Sequence, residues 1–173
     1  MIKGVKKFAI TFLIFCISAG AAANAQIMKP GVTLGINAVY SMPKNWFKEA
    51  YNFGIGGEVY GGIGLGKSYL IATLGYSAFK EDVSLNAETL TYTPVKVGIK
   101  QMFLLKKLFI QGDVGAASVK YGGVSENAFT AGAGAGVRLA GLELSLYYDA
   151  FKAKRFDKYA NTLNAKLGYS FSF

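Results

Sequence analysis

The chain has 173 residues, 52% of them hydrophobic, with 19 basic side chains against 10 acidic ones, no histidine and a single cysteine. Its length suits one domain. Without histidine the commonest general base and a common metal ligand are missing, which excludes serine-histidine and cysteine-histidine catalysis by this chain alone. The chain is accordingly read as a non-enzyme, and no cofactor or metal site is expected.

The first segment has the pattern of a secretory signal. Lys3, Lys6 and Lys7 precede an apolar run from Phe8 to Ile17, and Ala23-Asn24-Ala25 supplies an A-x-A cleavage site before Gln26. Residues 1–25 are therefore expected to be removed, leaving 26–173 as one domain. The apolar run is shorter than the roughly 20 residues a helix needs to span a bilayer. Cys16 lies inside it, behind Phe15 where a lipoprotein signal would carry a small residue, so lipid attachment is not expected. Loss of three lysines with the signal lowers the formal charge from +9 to +6. That excess points to anionic lipid head groups and not to nucleic acid.

Beyond the signal the sequence reads as eight runs of period two, at about 31–41, 51–65, 68–79, 90–103, 107–120, 128–140, 142–151 and 161–173. Each is long enough to cross a bilayer as a tilted strand, which takes about 9 to 11 residues. Connections after the second, fourth and sixth runs are tight, at Gly66-Lys67, Leu105-Lys106 and around Gly141. Those after the first, third, fifth and seventh are expected to be longer and more polar, as from Met42 to Ala50 and from Lys80 to Thr89. Short turns at one end and long loops at the other are the arrangement of outer-membrane barrels, with the turns periplasmic.

Alternation sorts the residues onto two faces. One collects Val32, Leu34, Ile36, Val95, Val97, Ile99, Leu142, Leu144 and Leu146 with many like them, and Gln101 is its clearest polar exception. The other carries Glu58, Lys96, Lys100, Asp113, Arg138, Glu143, Asp149 and Lys166 among glycine, serine, threonine and asparagine. In a soluble lipocalin-like barrel the charged face would meet water. Eight charges are too few for such a surface, where about 25 to 35% of residues are charged. Tyr40, Phe53, Tyr76, Phe129 and Tyr148 gather toward the loop ends of the apolar face, and Phe103, Phe171 and Phe173 toward the turn ends. Two aromatic belts around an aliphatic band indicate lipid outside.

The terminal run resembles the C-terminal recognition signal of bacterial outer-membrane barrels, with Lys166, Gly168, Phe171 and Phe173 at its polar, glycine and two hydrophobic positions. This likeness implies handling by the barrel-assembly machinery during insertion. With the strand count and the sidedness, the chain is similar to the small eight-stranded outer-membrane barrels of the OmpA transmembrane-domain and OmpX type. The resemblance implies an all-β, up-and-down antiparallel barrel, a monomer, in the outer membrane of a Gram-negative-type bacterium. The chain stops at its eighth run, so the peptidoglycan-binding domain of OmpA-type proteins is not expected.

Two nucleotide-binding patterns are rejected. Gly61 to Ser68 fits the P-loop spacing, but Tyr69 to Phe79 alternates as a strand where a helix would have to face the phosphates. Gly132, Gly134 and Gly136 share one strand face and read as room for larger neighbours inside a narrow barrel. Glu143 and Asp149 stand about 20 Å apart at roughly 3.3 Å per residue and cannot act as an acid and base pair. The eight inward charges are therefore read as a paired network plugging the lumen, a narrow low-conductance pore being the alternative. Lys152, Lys154, Arg155 and Lys158, with Phe151, Phe156 and Tyr159, are candidates for lipopolysaccharide contact, their aromatics seated at the membrane interface. Trp46 and Phe47 are read as an interface anchor or a partner contact. A structural or surface-interaction role follows, with an accessory role in envelope secretion or assembly as a further alternative.

Overall fold

The alternating runs become eight antiparallel strands in the computed structural model, which describes residues 30–81, 89–153 and 158–173. They are β1 (Pro30–Lys44), β2 (Tyr51–Leu65), β3 (Ser68–Glu81), β4 (Leu90–Phe103), β5 (Leu108–Tyr121), β6 (Val124–Leu139), β7 (Leu142–Ala153) and β8 (Ala160–Ser172), with a one-turn helix α1 (Trp46–Ala50) after β1. The predicted signal segment lies outside the described residues. Each strand pairs with its sequence neighbours and β8 pairs back onto β1, closing the barrel. Closure reaches the last residue, where Val32 and Phe173 exchange backbone hydrogen bonds of 3.0 and 2.9 Å. A closed sheet leaves no unpaired edge, the condition a sheet must meet inside hydrocarbon.

Register fixes sidedness. Val97 lies opposite Ala72 on β3 and Val114 on β5, and all three point outward and are exposed. One step along, Lys96 lies opposite Thr73 and Gly115, and its side chain points inward with 1% exposure. The same alternation holds around the barrel, so large aliphatic side chains cover the outside and the eight charges assigned to the other face lie within. Glycine makes the narrow interior possible. A Cβ on Gly132 would sit 2.5 Å from the Tyr147 ring and one on Gly136 2.5 Å from the Phe109 ring, so the glycine row of β6 is the space those rings occupy.

Two connections differ from the sequence reading. β5 and β6 extend upward and meet in a two-residue turn, Gly122-Gly123, where a longer polar loop was expected. Both glycines have positive φ, 57° and 75°, the left-handed pair a tight hairpin of this twist requires. Between β1 and β2 the expected loop from Met42 is instead three further strand residues, Met42 to Lys44, and then α1. At the other end, the β4–β5 turn spans 104–107 and places Leu104, Leu105 and Lys106 at positive φ, closed by bonds of 3.1 Å from the Lys107 amide to the Phe103 and Leu104 carbonyls.

Candidate functional site

The lumen is built in layers, each set by which inward positions the register brings to one height. Nearest the turns, Lys100 from β4 places its Nζ 2.7 Å from both carboxylate oxygens of Glu143 on β7. The Tyr60 hydroxyl donates to the same carboxylate at 2.7 Å and Ser170 Oγ donates at 3.0 Å. Arg138 stands 3.9 Å from Glu143 and spends its guanidinium on the last strand, donating to Ser172 Oγ at 3.0 Å and to the Ser170 carbonyl at 3.2 Å.

Two further clusters fill the middle. Lys166 Nζ lies 2.9 Å from each oxygen of Glu58, which also accepts from Asn37 Nδ2 at 2.9 Å. Lys96 bridges Asp149 at 3.0 Å and Asp113 at 3.2 Å. Asn164 Nδ2 supports Asp149 at 2.9 Å and Gln111 Nε2 supports Asp113 at 3.2 Å. The Tyr147 ring joins the two clusters, with Lys166 3.9 Å and Lys96 5.0 Å from its centroid. All eight lumen charges of the sequence reading thus meet a charge of opposite sign. Burial without such partners would cost several kcal/mol per ion, and pairing with added hydrogen bonds offsets it.

Apolar caps close both ends of this polar middle, and sequence reasoning missed them. At the loop end Phe47, delivered by α1, is fully buried and packs on Tyr51, Phe79 and Phe151 at centroid distances of 4.9, 5.3 and 5.5 Å. Phe151 also stacks on Tyr92 at 4.6 Å. At the turn end Tyr60, Tyr69, Ile71, Met102 and Phe109 form a second buried cluster. Two expectations are corrected here. Phe47 is a plug inside the barrel mouth and not an interface anchor, and Phe151 points into the barrel and not into the membrane interface. The legible signal was position: Phe79, Tyr92, Phe109 and Phe151 all occupy the parity of the charged face.

Between the middle clusters and the loop-side cap lies a cavity of about 20 Å³ bordered by Glu58, Tyr92, Lys96, Asp149, Asn164 and Lys166 among others, room for about one water molecule. Glu143 and Asp149 belong to separate clusters, each paired with lysine, so these two carboxylates do not face each other. Among the described residues no group of three or more His, Cys, Asp and Glu side chains converges in a metal-binding arrangement. The P-loop-like segment is the end of β2, the Gly66-Lys67 turn and the start of β3.

The terminal signal residues divide by face. Lys166 lies in the lumen, Gly168 is packed against Asn37 where a Cβ would collide with its side chain, and Phe171 and Phe173 are exposed on the outside. Of the loop cations, Lys152 points outward at the rim with its Nζ 5.5 Å from the Tyr159 ring centroid. Lys158 is exposed, and Lys154 and Arg155 lie outside the described residues.

No protein-family model matches the sequence, and no curated protein matches it. Solved structures do match the fold. The Yersinia pestis attachment invasion locus protein Ail, solved with the heparin analogue sucrose octasulfate, superposes with a TM-score of 0.58 at 18% identity, covering 83% of this chain and 100% of that one. Ail in a phospholipid bilayer nanodisc gives a TM-score of 0.56 at 18% identity, over 80% and 99%. The N-terminal β-barrel domain of Pseudomonas aeruginosa OprF gives 0.59 at 14% identity, over 80% and 97%. The chain therefore has the fold of the small eight-stranded outer-membrane barrels.

Proposed function

We propose that this protein is an integral outer-membrane barrel of a Gram-negative-type bacterium with a structural or surface-interaction role, its lumen plugged and without catalytic function. The observation that carries this reading is sidedness. Large aliphatic residues such as Val97, Leu144 and Ile63 stand more than half exposed on the outside, while Glu58, Lys96, Lys100, Asp113, Glu143, Asp149 and Lys166 are buried in ion pairs on the inner face. In water that outer surface would be a continuous apolar patch wrapping the molecule, far beyond what a soluble monomer exposes. In lipid it is the favoured surface, and a charge placed there at mid-bilayer costs about 2 to 4 kcal/mol.

The plug is supported by the paired clusters, the two apolar caps and the single-water scale of the cavity between them. Recording from the folded barrel in planar bilayers tests it. Silence or brief, rare openings are expected, and a large stable conductance would replace the plug with the porin-like reading. The same preparation, run unheated and boiled on a gel, is expected to migrate differently, the mark of a barrel that resists detergent until heated. Co-purification of a stable envelope complex would instead favour an accessory role in secretion or assembly.

A further inference from the structure

Across the described strands, outward-facing positions carry a cation at four places: Lys44, Lys80, Lys120 and Lys152. Each is the last or next-to-last residue of an odd-numbered strand, β1, β3, β5 and β7. In a closed barrel of eight strands taken in order, these fall at every second strand around the loop-side rim. The turn-side rim is different. Its outward strand positions hold Leu65, Phe103, Leu108, Leu139 and Phe171 with the uncharged polar pair Ser68 and Gln101, and no cation.

An aromatic ring lies beneath each lysine. Tyr40, Tyr76 and Tyr148 stand four residues before Lys44, Lys80 and Lys152 on the same outward face. On β5 the equivalent position is Ala116, and its register partner Phe129 supplies the ring from β6. Four residues span about 13 Å along a strand, or roughly 10 Å along the membrane normal at the tilt of such barrels. If the rings mark the edge of the hydrocarbon, the ammonium groups stand one layer further out, among lipid phosphates.

We propose that Lys44, Lys80, Lys120 and Lys152 form a ring that binds the phosphate groups of a phosphorylated glycolipid, lipopolysaccharide, packed around the loop-side rim. The inference rests on the bilayer-embedded reading and relocates the lipid contact from one loop to four strands. Even spacing around the circumference fits lipid molecules arranged as a collar, where a protein partner would require one contiguous patch. The one-sided placement fits a bilayer whose outer leaflet alone carries this lipid. The ladder fixes the backbone height of all four lysines, since each has a register partner on a neighbouring strand.

The test uses the full processed chain, folded in detergent and incubated with purified lipopolysaccharide, with lipopolysaccharide dephosphorylated by a phosphatase, or with phosphatidylglycerol. Lipid retained after size exclusion is measured. Retention of intact lipopolysaccharide is expected to exceed that of both other probes. The K44Q/K80Q/K120Q/K152Q variant is expected to bind lipopolysaccharide more weakly by roughly fivefold per lysine removed. A K67Q/K106Q/K107Q variant, stripped of turn-side cations, should keep wild-type retention. Unchanged binding in the fourfold variant, equal loss in the turn-side variant, or equal retention of dephosphorylated lipid would each overturn the ring. Insertion into vesicles and the unheated gel shift are read on the same samples. Failure of wild-type protein there would sink the membrane reading itself, whereas normal insertion with unchanged binding in the fourfold variant rejects only the ring.

Discussion

Lys100 and Glu143 face each other across the lumen from β4 and β7, with Nζ 2.7 Å from both carboxylate oxygens and neither side chain more than 5% exposed. An ion pair held this far from water is asymmetric in its response to mutation. Removing Glu143 alone, as Glu143→Ala, leaves Lys100 unpaired and should cost about 3 to 5 kcal/mol, whereas Lys100→Met with Glu143→Leu should come close to wild-type stability. Urea unfolding of the barrel reconstituted in lipid vesicles measures both. Equal losses in the single and double variants would mean the pair does not act as a unit.

Phe47 ties α1 to the barrel mouth. Phe47→Ala removes a fully buried ring in contact with four others and should destabilise the fold by about 3 to 5 kcal/mol. Trp46 is the one tryptophan in the chain and its ring lies 5.7 Å from that of Phe47. Its fluorescence should shift to the red in the variant as α1 loosens. An unchanged spectrum would show that α1 is held by other contacts.

Gly54 backs onto the same cap. A Cβ there would lie 2.7 Å from two carbons of the Phe79 ring, with the close contacts all belonging to that side chain. Gly54→Ala should therefore cost about 1 to 3 kcal/mol through overpacking. Adding Phe79→Leu, which withdraws the ring, should recover part of the loss. A double variant less stable than the sum of the two singles would refute the steric account.

Sidedness predicts a depth profile on the outside. Val97 lies midway along β4 and is exposed to the surroundings, so Val97→Arg should cost about 2 to 4 kcal/mol in a bilayer. Thr93 shares that outward face four residues nearer the loops, and Thr93→Arg should cost about 0 to 1 kcal/mol. Unfolding from vesicles reads the difference, and equal costs at the two depths would argue against lipid at Val97.

The sequence by itself determined the strands and their two faces. A side chain's direction in a strand depends only on its parity, so Glu58, Lys96 and Lys166 could be assigned to one side and Val97 to the other without any knowledge of neighbours. All eight strands begin and end within about four residues of where the alternation placed them, as a local period allows. The largest difference, the earlier start of β6, carried its own signal in Tyr121-Gly122-Gly123-Val124, two glycines between alternating residues. Only the tertiary structure decided who meets whom inside. Lys100 is 43 residues from Glu143 and Lys166 is 108 from Glu58, and the stagger of the closed sheet selects those partners, a quantity no single strand encodes. The same closure turns Phe47 and Phe151, which look like loop aromatics in the linear chain, into the wall that shuts the lumen, because apolar rings beside a filled polar middle lose more water by turning inward than by staying at the rim.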